Sequence, residues 1–269
     1  MVICATCAVE YDEPLPDVCP ICADERQWVP SDGQHWTDLA KLRAEGRTIS
    51  WTDREPGLAA LAADPGVGIG QTMELITTPA GSLLWDPLGY LDDATVERIR
   101  ALGPVLAIAA SHPHMYGVQL EWADALDAPV LVCEADREWL GRTGPRVELW
   151  SGRRDVTDGL TLHQVGGHFV GSCVALWEAG AEGQGILFAG DTVFPNPDRT
   201  SLGFLRSYPN KIPLSGAVVE RIAAQLGELS FDKIIGNFGN STDSGAKEIL
   251  RRSADRHIGW VRGDFDHLT

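Results

Sequence analysis

His112, Pro113 and His114 stand at the end of the apolar run Val105 to Ala110, in the stretch VLAIAASHPHMYG. Two imidazoles two residues apart, leaving a buried strand together, can close on one metal ion. Gly166-Gly167-His168 follows the strand-like LTLHQV, and Gly190-Asp191-Thr192 follows the strand-like GILFA. Three histidines and a carboxylate therefore fall at three successive strand ends, which is how the rim of an α/β active site is built. Asp191 reads as a fourth ligand or as a hydrogen-bonding neighbour of the ion. Each residue also has a duller reading: a lone His-x-His is common, and an aspartate after Ala-Gly can simply cap a turn.

A second cluster lies at the start of the chain. Cys4, Cys7, Cys19 and Cys22 form two C-x-x-C units separated by eleven residues. Each unit aims two thiolates at one point, and two units complete a tetrahedron around a metal. A segment this small has no core of its own, so the ion would supply most of its folding free energy. Cys133 and Cys173 fall in apolar strand-like runs and read as ordinary core residues.

The elements that must position these residues alternate along the chain. Residues 1–30 read as a metal knuckle. Residues 31–65 read as a linker with one short helix, opened near Trp36 and capped by Thr37 or Asp38; the stretch 46–66 is irregular, broken by Pro56, Pro65 and several glycines. From residue 66 to 269 a hairpin around Pro79-Ala80-Gly81 leads to a helix capped at Asp92-Asp93, then to the strand before the histidines. Strands at 129–133, 161–165, 173–178 and 185–189 follow, with a helix near 134–140. A long loop, 192–213, precedes a helix at 214–226, a strand at 233–236 and a last helix over about 243–258. Strands, then β-α alternation, then strands and β-α again imply two sheets packed face to face with helices outside.

With 38 acidic against 22 basic residues, the net charge of -16 argues against nucleic acid or an anionic membrane as partner. No apolar stretch approaches the ~20 residues of a membrane span. The start MVICATCAVEYDE lacks the basic and apolar segments of a signal peptide, so a cytoplasmic address is expected. The knuckle is itself acidic and favours packing or docking to a protein partner, and nine tryptophans leave room for a homo-oligomer contact.

The knuckle resembles a zinc ribbon or a rubredoxin-like pair. Ala8 and Ala23 stand where rubredoxin knuckles usually carry glycine, which favours structural zinc over iron. Beyond it, LLWDP (83–87), SHPHMYG (111–117), GGHFVGS (166–172), FAGDT (188–192) and GNFG (236–239) resemble the metallo-β-lactamase fold superfamily over roughly residues 66–260. The resemblance implies a four-layer αββα sandwich. It also implies that His112, His114 and His168 are ligands of the first metal, that Asp191 is the bridging carboxylate, and that Asp86 is a support behind the ligands. Tyr116 stands where the family has an aspartate, Gly117 where it has a histidine, and Asn237 in the region of the final histidine. A single-metal site is the consequence.

The function this implies is a metal-dependent hydrolase, with one zinc, of a small ester, thioester or amide. Arg199, Arg206, Tyr208 and Lys211 in the long loop hint at an anionic substrate. Asp191 would orient the ion, and Tyr116 would donate a proton or hold an oxyanion; an aromatic pocket wall is its equal alternative. Two other readings stand beside this one. His112, His168 and Asp191 also match an iron-binding facial triad that would oxidise sulfur compounds. The chain could equally be a non-catalytic scaffold member of the fold.

Overall fold

The computed structural model describes residues 1–269, which fold as two compact units, Met1–Ser151 and Gly152–Thr269. The first unit is built on a seven-stranded sheet: β1 (Thr48–Glu55), β2 (Leu58–Asp64), β3 (Met73–Thr78), β4 (Gly81–Trp85), β5 (Val105–Ala109), β6 (Val130–Cys133) and β7 (Val147–Trp150). The strands lie in chain order. The first four pair antiparallel, and β4 to β7 pair parallel. Parallel neighbours need crossovers. Helix α1 (Asp93–Ala101), capped by Asp92 accepting from the Thr95 N–H, supplies one, and helix α2 (Gln119–Leu126) supplies the next.

The expected linker over 31–65 is corrected here. It holds a short strand, Trp36–Thr37, a helix over Leu39–Ala44 capped by Asp38, and the hairpin of β1 and β2. The residues that read as breakers, Pro56 and Gly57, are the hairpin's own turn, with Glu55 opposite Leu58 and Gly57 at φ +83°. Proline followed by a left-handed glycine is the chemistry of a tight turn. The hairpin adds two strands to the sheet, so no boundary falls at residue 65. Nor is the knuckle walled off: Ile3, Val9, Tyr11 and Ile21 share one apolar core with Leu61, Met73, Leu88 and Leu120.

The second unit carries a five-stranded sheet in chain order: β8 (Arg153–Thr157), β9 (Leu160–Gln164), β10 (Cys173–Trp177), β11 (Ile186–Phe188) and β12 (Lys233–Ile235). Only the last pair is parallel, and helix α3 (Gly216–Gly227) makes its crossover. Helix α4 (Ala246–Arg262) packs with α3, and Val219, Ile222, Leu226, Ile249 and Leu250 join Val174, Leu176 and Leu187 in one core. The 192–213 stretch, expected as loop, contains two short ribbons, Phe194–Pro195 with Leu202–Gly203 and Leu205–Ser207 with Ile212–Pro213. The expected helix near 134–140 is a 3-10 turn over Glu134–Trp139. Cys133 and Cys173 are buried, as their strands require. No helix is long and apolar enough to cross a membrane.

Candidate metal centres

Four cysteines meet in the first unit. The Sγ atoms of Cys4, Cys7, Cys19 and Cys22 lie within 4.8 Å of one another. Cys4 and Cys22 are 3.5 Å apart and Cys7 and Cys19 3.6 Å. A disulfide would need about 2.05 Å. Sulfurs on a tetrahedron with bonds of about 2.3 Å stand roughly 3.8 Å apart, so the spacing fits a metal and not a bridge. The Tyr11 hydroxyl sits 3.1 Å from Cys19 Sγ, and hydrogen bonds from its neighbours hold that thiol far below the ordinary range. Ala8 turns the first knuckle with φ +67°. A side chain on Gly68 or Gly89 would collide with its methyl, at 2.6 and 2.4 Å. Those two glycines give Ala8 its seat.

The histidine motif is fixed by β4 and β5. Asp86, at the end of β4 and fully buried, takes a left-handed backbone at φ +57°. Its Oδ1 accepts the Ser111 N–H at 2.6 Å and its Oδ2 the Ser111 hydroxyl at 3.2 Å. Ser111 Oγ lies 2.9 Å from His112 Nδ1. Because the serine proton goes to Asp86, Nδ1 of His112 must be the donor, and the ring's lone pair resides on Nε2. Asp86 thus holds Ser111 and, through it, His112. The next residues close a 3-10 turn, Pro113–Met115, with the Met115 N–H donating to the His112 carbonyl at 2.9 Å. The turn brings the His112 and His114 rings to 5.1 Å between centroids, both buried.

Tyr116 ends that turn and packs into the unit's core, and its hydroxyl donates to the Asp136 carbonyl at 3.2 Å. Glu121 faces Arg142 at 2.6 Å, consistent with a structural carboxylate.

In the second unit His168 and Asp191 come together. Gly166 and Gly167 hold left-handed backbones, and a side chain on Gly167 would strike the Thr192 methyl at 2.8 Å. Thr192 clasps the turn: its hydroxyl donates to the Gly166 carbonyl at 2.9 Å and accepts the His168 N–H at 3.1 Å. His168 Nδ1 meets the Leu205 carbonyl at 3.3 Å. A carbonyl can only accept, so this ring too carries its lone pair on Nε2, which stands 3.7 Å from Asp191 Oδ2. The other oxygen, Oδ1, accepts from Asn237 Nδ2 at 3.0 Å. Burial pushes the Asp191 carboxyl up to about 6, and the Asn237 bond works against that shift.

Tyr208, read from sequence only as one of the loop residues hinting at an anionic substrate, lies beside Asp191 and His168. Its hydroxyl donates to the Asp191 carbonyl at 2.9 Å, and its ring lies 5.9 Å from His168. Of the loop cations, Arg206 reaches the His168 carbonyl at 3.4 Å, whereas Arg199 is turned to Asp243 at 2.7 Å. His163 is held 2.8 Å from Thr161 Oγ1.

No protein-family model matches the chain. YmaE of Bacillus subtilis (strain 168), described as an uncharacterized protein, is 39% identical over 269 residues, covering 98% of each chain. The chain belongs to the YmaE family. Among solved structures it is similar to the metallo-β-lactamase DIM-1, with TM-score 0.58 and 13% identity over 78% of this chain and 96% of that one. It is similar also to the metallo-β-lactamase FIM-1 from Pseudomonas aeruginosa in its mono-zinc form, with TM-score 0.55 and 17% identity over the same shares. At such identities the likeness establishes the fold: this YmaE-family chain has the metallo-β-lactamase fold. Activity does not follow from that alone.

Proposed function

We propose that this protein is a metal-dependent hydrolase of small acyl substrates, with His112, His114, His168 and Asp191 holding one ion, zinc in the first instance. The observation that carries the reading is a pair of half-sites, each built within its own unit: His112 and His114 on one turn, their buried rings 5.1 Å apart, and His168 with its Nε2 3.7 Å from Asp191 Oδ2. The donor chemistry fits as well. Ser111 and the Leu205 carbonyl fix two of the rings in the tautomer that leaves Nε2 to a metal. A bound divalent ion supplies Lewis acidity, polarising a carbonyl and acidifying a water.

The chain's own residues do the rest. Asn237 holds Asp191 by one oxygen, so the other keeps a constant direction toward His168. Tyr208 anchors the Asp191 backbone. Arg206 brings a positive charge beside His168, which favours an anionic substrate. Tyr116, with its hydroxyl on Asp136, carries no catalytic step here. The four cysteines hold a second, structural zinc.

The test is a panel of small esters, thioesters and amides assayed with zinc-loaded protein, beside the His112→Ala/His168→Ala double variant. Turnover lost in the double variant, with the fold retained, supports the reading. Equal turnover in both proteins rejects it, and site-bound iron in anaerobically purified protein would transfer the assignment to oxidation chemistry.

A further inference from the structure

The knuckle does more than bind an ion. Three residues beyond Cys7, Glu10 leaves the knuckle and reaches the far end of the histidine turn. Its N–H donates to the Gly117 carbonyl at 3.2 Å. Its carboxylate Oε1 accepts the Leu120 N–H at 2.6 Å, and Oε2 accepts from Arg142 at 2.9 Å. Leu120 lies in the first turn of α2, whose N-cap residue, Val118, offers no side-chain bond. Glu10 therefore caps that helix from outside, where a carboxylate meets both the orphan N–H groups and the positive end of the helix dipole.

The segment His112–Gly117 has no slack at either end. Asp86 holds its start through Ser111. At its finish Gly117 adopts φ +52° with room for no side chain, since a Cβ would lie 2.2 Å from the Pro87 carbonyl. Glu10 closes on the two residues that decide where this turn stops: Gly117 through its backbone, and Leu120 through its side chain. Burial of the carboxylate is nearly complete, so the geometry is held in a site where it cannot be replaced cheaply by water.

We propose that Glu10 is a positioning residue for the histidine centre: it ties the cysteine knuckle to the His112–His114 turn by capping α2. The inference rests on the metal reading given under Proposed function. It assigns the knuckle a purpose, since an ion bound by Cys4, Cys7, Cys19 and Cys22 fixes the strand that carries Glu10.

Cobalt(II) reads the two centres separately, because a four-thiolate site gives intense charge-transfer bands and a histidine-carboxylate site gives weak visible bands. The full chain is titrated with cobalt as wild type, Glu10→Gln, Glu10→Ala and Asp12→Ala. Asp12 is the control, on the same arm and 3.3 Å from Arg142. The expected result is thiolate bands unchanged throughout and a histidine-site affinity about 10-fold weaker in Glu10→Ala. Glu10→Gln keeps an acceptor for Leu120 but turns an amide toward Arg142, and falls between the two, with Asp12→Ala as wild type. If Glu10→Ala fails to fold, Glu10→Gln decides alone, by weaker histidine-site binding with intact thiolate bands. Wild-type affinity in the folded Glu10 variants overturns the proposal while leaving the metal reading standing. A wild-type protein whose histidines take no cobalt ends both.

Discussion

Asn237 donates through Nδ2 to Asp191 Oδ1 at 3.0 Å, both side chains being buried. An amide thus stands on the very carboxylate that the superfamily pattern would have bridge two metals. Asn237 supplies an amide where the superfamily pattern has its final histidine, and that amide is a weaker metal ligand than an imidazole. Asn237→Ala removes this bond, so Asp191 loses one restraint and its carboxyl rises further. A fall in histidine-site metal affinity of about 10-fold is expected, measured by competition with a chelator.

The same reasoning applies behind His112. Ser111→Ala deletes the acceptor for Nδ1–H and the hydroxyl that donates to Asp86 Oδ2. The expected outcome is a loss of about 10- to 100-fold in metal affinity with little change in fold. The nitrogen chemical shifts of His112 would report the change directly: in the wild type Nδ1 is protonated and Nε2 is not.

Glu10 predicts a pH dependence. Burial raises its carboxyl from 4.5 to about 7, against the lowering pull of the Leu120 N–H and Arg142; Glu121 adds to the rise. Between those values the folded chain binds more protons than the unfolded one, so stability falls as pH rises from about 4.5 to about 7 and is flat beyond. Glu10→Gln abolishes this component. Denaturant unfolding of the two proteins should converge or cross over that window, by at most on the order of 3 kcal/mol.

The cysteine knuckle predicts a stability effect. Cys7→Ser leaves a ruptured ligand set inside a core that contains Leu61, Met73 and Leu120. Its thermal midpoint should fall by roughly 5–10 °C. Chelation of the wild-type protein should produce the same shift, and the variant should then respond little to the chelator.

Much of this was legible in the residues, for identifiable reasons. Strand ends followed by His-x-His, Gly-Gly-His and Gly-Asp-Thr are local signals, and β5, β9 and β11 with the histidines and aspartate that follow them needed nothing distant to be read. The caps Asp38 and Asp92 announce themselves by type and position. The hairpin of β1 and β2 was hidden because half of β1 faces solvent and its turn residues, Pro56 and Gly57, look like breakers. The partner of Tyr116 was not legible either, since its place in the motif says nothing about the Asp136 carbonyl twenty residues on. The contacts of Tyr208, Asn237 and Glu10 were hidden for a related reason. Each acts through a partner remote in sequence, and only folding reveals which one.

Metal content per chain, with each element identified, tests the central claim most directly. Wild-type protein should carry two ions, one lost in Cys4→Ser/Cys7→Ser and the other lost in His112→Ala/His168→Ala. A single ion that follows the cysteines alone, with the histidine variant as fully loaded as the wild type, would contradict the account.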